Sequence, residues 1–78
     1  MFEVYYAAPE DLEREERLLT IIKSGQGHLD FREAPTMLQQ KGTVCLTYDF
    51  AILEQAETIA QRLKEVGEYV EGPYDYGE

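Results

Sequence analysis

Seventy-eight residues with 7 Lys and Arg against 16 Asp and Glu give a net charge of −9. That is one domain near the small end of what folds alone, and a charge that opposes nucleic acid or an anionic membrane as partner. A single cysteine, Cys45, excludes an internal disulfide and the usual four-ligand structural zinc site.

A hydrophobic fraction of 44% argues against wholesale disorder. No apolar run approaches the ~18 residues of a membrane span. The opening Met-Phe-Glu-Val-Tyr-Tyr has neither a basic nor an apolar leader pattern, so no signal peptide and a cytoplasmic location are the expectation.

The first strand is expected over Phe2 to Ala7, with Phe2, Val4 and Tyr6 on one face and Glu3, Tyr5 and Ala7 on the other. Pro9 suits a first helical turn, with Glu10 and Asp11 complementing the helix dipole. The helix then runs to about Lys23. Leu12, Leu19 and Ile22 form its stripe, widened by Leu18 and Ile21, and Glu10/Arg14 and Glu13/Arg17 stand at i,i+4 spacing. Gly25 or Gly27 is expected to end it in a left-handed cap.

His28 to Glu33 reads as the second strand, with Leu29 and Phe31 facing one way and His28, Asp30 and Arg32 the other. Pro35 to Gly42 is longer than a tight hairpin needs, with Thr36 placed to cap one turn. Met37 and Leu38 within it either tuck under the sheet edge or form a contact patch. In the third strand, Thr43 to Asp49, Val44, Leu46 and Tyr48 alternate with Cys45, Thr47 and Asp49. Asp49 is expected to cap a second helix over about Ala51 to Val66, striped by Ile52, Ala56, Ile59, Leu63 and Val66, with Gly67 beyond its end. A short last strand, Glu68 to Glu71, is expected to break at Gly72-Pro73. Residues 1–72 are then one α+β domain, and residues 73–78 an acidic-aromatic tail. The tail is read either as a frayed end or as a segment that packs over the sheet or clasps a partner.

The order βαββαβ predicts a ferredoxin-like two-layer sandwich, with two helices on one face of a four-stranded antiparallel sheet. This fold hosts many unrelated functions, so function must come from the open face, the loops or the tail. In the usual strand order the open face carries Tyr5, Ala7, His28, Asp30, Arg32, Cys45, Thr47 and one of Tyr69 or Glu71.

RNA-binding domains of this architecture stack bases on aromatics of the two central strands. Here only Tyr5 qualifies, and the charge opposes it. Catalysis would need His28 to converge with Cys45 or Asp30, since a thiol beside an imidazole is an activated nucleophile. The plain alternatives are a solvated histidine and a packing cysteine. His28 and Asp30 at i,i+2 offer two metal-ligand positions with no clear others, so no cofactor or metal is expected.

The favoured expectation is a small non-enzymatic interaction or regulatory module. It is expected to self-associate as a homodimer through the open face or a sheet edge, or to bind another protein. Tyr5, Cys45, Thr47, Met37, Leu38, Tyr74 and Tyr76 are the candidate contacts, and His28, Asp30 and Arg32 the polar face. Tyr6 and Tyr48 are read as core residues. A small-molecule-binding regulatory domain with its site at a subunit junction is the alternative, and an enzyme using His28 comes third. The acidity itself is read as solubility or as a match to a basic partner.

Overall fold

The computed structural model describes residues 1–34 and 42–75. The elements are β1 (Phe2–Pro9), α1 (Leu12–Ser24), β2 (His28–Glu33), β3 (Thr43–Phe50), α2 (Leu53–Glu65) and β4 (Val70–Asp75). They form a four-stranded antiparallel sheet in the order β2-β3-β1-β4. The chain is an α+β ferredoxin-like sandwich, as its periodicity predicts. No helix among the described residues is long and apolar enough to cross a membrane.

The central pair β1–β3 sets the two faces. Val4 lies opposite Tyr48 and Tyr6 opposite Leu46, all four buried under the helices with Val44, Phe50 and Val70. Tyr5 lies opposite Thr47, and Ala7 opposite Cys45, on the other face.

β1 runs on through Pro9, and Asp11, not Pro9, opens α1 by accepting a bond from the Arg14 backbone N–H at 3.2 Å. Leu18 and Ile22 are its buried stripe, whereas Leu12 is 67% exposed. Gln26 takes the left-handed conformation (φ 69°) that ends the helix, and the Gly27 N–H bonds Ile22 O at 2.9 Å. The flanking glycines serve close approach instead. A Cβ at Gly25 would collide with the Ile59 side chain, and one at Gly27 with the Phe50 ring.

In α2, Ala56, Ile59, Ala60 and Leu63 are buried against the sheet, and Gly67 beyond its end has φ 94°. Asp49 does not cap this helix. β3 continues to Phe50, Ile52 is the N-cap, and Asp49 stays on the open side of the sheet. Ile52 and Val66, expected in the stripe, are exposed.

Two further departures shape the site. β2 shifts register against β3 between Leu29 and Phe31, so Asp30 is accommodated as a bulge. Leu29 faces the helices opposite Tyr48. Phe31 then lies opposite Thr47 on the open face, and Arg32 opposite Leu46 on the helix side. The expected places of Phe31 and Arg32 are thus exchanged. The physical reason is carboxylates on the helix layer. Arg32 Nε and Nη2 donate to the two oxygens of Glu15 at 2.7 and 3.2 Å, and Nη2 also donates to Glu10 at 2.6 Å. The second departure is β4, which does not break at Gly72-Pro73 but pairs with β1 as far as Asp75 opposite Phe2. Gly72 (φ 109°) lets the strand pass close to the Glu3 carbonyl, where a Cβ would fall 2.6 Å from that oxygen.

Candidate interaction face

The strand registers arrange the open face in rows. Across the first row, β4 to β2, stand Tyr74, Glu3, Asp49 and His28. Across the second stand Glu71, Tyr5, Thr47 and Phe31, and the third carries Ala7, Cys45 and Glu33. Aromatic area is concentrated here. Tyr69, Phe31 and Tyr74 are 70, 59 and 46% exposed.

These rings are held in place. The Tyr5 hydroxyl donates to Glu3 at 2.7 Å, and the Tyr5 and Tyr74 rings lie 5.6 Å apart at 36°. The Tyr69 hydroxyl donates to Glu71 at 3.0 Å, so Tyr69 and Glu71 both stand on the open side. That bond, together with the neighbouring carboxylate, raises the Tyr69 pKa above its ordinary value. Small side chains in the third row leave a hollow of about 370 Å³, floored by Ala7, Cys45 and Thr47 and walled by Tyr5, Tyr69, Glu33 and Glu71.

Charge is segregated between the layers. Arg14, Arg17 and Lys23 lie on α1, Arg62 and Lys64 on α2, and Arg32 turns toward α1. Among the described residues the open face therefore has no lysine or arginine, while Glu3, Glu33, Asp49 and Glu71 are on it. None of those four carboxylates has an ion-pair partner among the described residues.

Of the expected contact residues, Tyr5, Cys45, Thr47 and Tyr74 share this face. Met37, Leu38, Tyr76 and the Thr36 cap lie outside the described residues. Of the polar candidates, His28 is on the face opposite Asp49, Asp30 occupies the bulge, and Arg32 is on the other side of the sheet. His28 and Cys45 do not converge. Cys45 is four residues along β3 from His28's partner, about 13 Å at the usual strand rise. The bulge also takes Asp30 out of His28's alternation, and no three His, Cys, Asp or Glu among the described residues are grouped to hold a metal ion. Phe31 and Glu33 are the face residues that simple alternation misplaces; the acids that draw Arg32 inward, Glu15 of α1 and Glu10 just before it, are the signal for them.

Tyr6 and Tyr48 are core residues, as read from the alternation, and the Tyr48 hydroxyl is buried without a hydrogen-bond partner. Burial raises both pKa values. The Arg14–Glu68 ion pair, at 3.4 Å, lies beside Tyr6.

Comparison with protein-family models, with curated proteins and with solved structures finds no match to this chain.

Proposed function

We propose that this chain is a small non-enzymatic protein-interaction module whose contact surface is the open face of its sheet. The observation that carries this reading is the arrangement of that face. Exposed rings of Phe31, Tyr69 and Tyr74 share that face with a small-residue hollow lined by Tyr5 and Tyr69, on a sheet whose other face packs the core. Tyrosine presents large area at little conformational cost and has a polar tip, which suits protein contacts. A hollow of about 370 Å³, open to solvent, is at the low end for a separate ligand and suits an inserted side chain.

The face is a better candidate than the edges. The β2 edge is interrupted by its bulge, and the β4 edge by Pro73, which has no N–H to donate. Both features blunt strand addition. Pairing with a second copy is disfavoured by charge, because it would bring two sets of Glu3, Glu33, Asp49 and Glu71 together with no lysine or arginine from the described part of either face. A different protein is the favoured occupant.

Native mass spectrometry of the gently purified chain tests this. The wild type should carry a partner's mass. Thr47→Arg, which sets a cation in the floor of the hollow, should lose it while still melting cooperatively, and Glu57→Lys on α2 should retain it. Twice the chain mass would make a second copy the occupant. Equal retention by Thr47→Arg would remove the open face from the interaction.

A further inference from the structure

We infer that the partner docks a basic segment on this face and inserts arginine into the hollow between Tyr5 and Tyr69. This rests on the open face being the contact surface, and it adds what that surface selects. The first support is charge complementarity. Four carboxylates without ion-pair partners among the described residues share a face that is free of lysine and arginine in the same set. All six described lysines and arginines are on or turned toward the helix layer. Overall acidity alone would not separate the signs in this way.

The second support is the shape of the hollow. Its floor of Ala7, Cys45 and Thr47 lies between tyrosine rings, and Glu33 and Glu71 stand on its walls. A guanidinium is planar, is weakly hydrated for its charge, stacks on aromatic faces and donates two parallel bonds to a carboxylate. An ammonium matches the charge but neither the stacking plane nor the fork. The rings therefore favour arginine over lysine, and the carboxylates favour either over a neutral side chain. The Tyr69–Glu71 hydrogen bond at 3.0 Å keeps ring and carboxylate on one side of the strand before any partner arrives.

The test titrates the ¹⁵N-labelled full chain with a hexa-arginine peptide and, separately, with hexa-lysine. The expected result is saturable shifts of the Ala7, Cys45, Thr47 and Glu71 amides, with hexa-arginine binding several-fold more tightly. Glu33→Gln with Glu71→Gln should weaken hexa-arginine by about tenfold, the sum of two exposed charge pairs. Tyr69→Ala should bring the two peptides toward equal affinity. Glu57→Gln with Glu65→Gln, the same charge change on α2, should alter binding less than twofold.

Shifts centred on the helices, equal binding of the two peptides by the wild type, or an equal loss from the α2 pair would overturn the inference in favour of bulk acidity. Such a result would leave the interaction module standing if Thr47→Arg still released a native partner. Arginine binding on the open face with no native partner mass would have the reverse meaning.

Discussion

Tyr48 shows how one side chain serves the core at some cost. Its ring fills the space under α1, but its hydroxyl is buried without a partner. Removing only the oxygen should help, because an unpaired buried hydroxyl carries its desolvation penalty. Tyr48→Phe is expected to raise stability by about 1 kcal/mol in urea denaturation. The same burial, with lesser contributions from Tyr6, Glu15 and Glu68, raises the Tyr48 pKa. In the unfolded chain a tyrosine ionises near pH 10. The folded group stays protonated above that point, so the unfolded state binds fewer protons and stability falls as pH rises. Melting temperature should be flat with respect to this group up to about pH 9 and decline beyond pH 10. Tyr48→Phe should decline less steeply; an identical slope would assign the alkaline loss to other groups.

At the scale of elements, the α1–β2 junction depends on two close fits. Gly27 is buried against the Phe50 ring and Ile22. Gly27→Ala should cost about 1–3 kcal/mol by overpacking, read from the urea midpoint. Arg32 ties β2 to α1 through Glu15 and to the segment leading into α1 through Glu10. Arg32→Met keeps most of the stem but removes the fork, and it should speed amide exchange in β2 while leaving β1 and β3 protected. Uniform protection would show that the bulge, not the ion pairs, holds the strand. This junction also marks where the sequence stops being legible. The alternation of β1 and β3 and the stripe of α2 follow from local period, so the fold and the placing of Tyr5, Ala7, Cys45 and Thr47 could be read directly. The bulge at Asp30 is a tertiary choice. It puts Arg32 within reach of acids 17 and 22 residues away in sequence, and it turns Phe31 outward. Gly72-Pro73 likewise looks like a break until β1 offers it a register.

Over the whole molecule, the excess of carboxylates is unevenly placed relative to the few cations. Cations and acids mix on the helix layer, and the described open face keeps acids alone. A charge of −9 on so small a chain repels itself, so added sodium chloride should raise the melting temperature. It should equally strengthen any pairing of two open faces and weaken the docking of a basic segment. The sign of the salt effect on the native complex therefore identifies the occupant. The most direct test of the open face as the contact surface is photo-cross-linking in living cells, with a benzophenone side chain placed at Thr47 or at Glu57 on α2. The expected result is one dominant product from Thr47 and none from Glu57, with the product lost when Tyr74→Ala and Phe31→Ala are added. Equal labelling from both positions, or a product from Glu57 alone, would contradict the account.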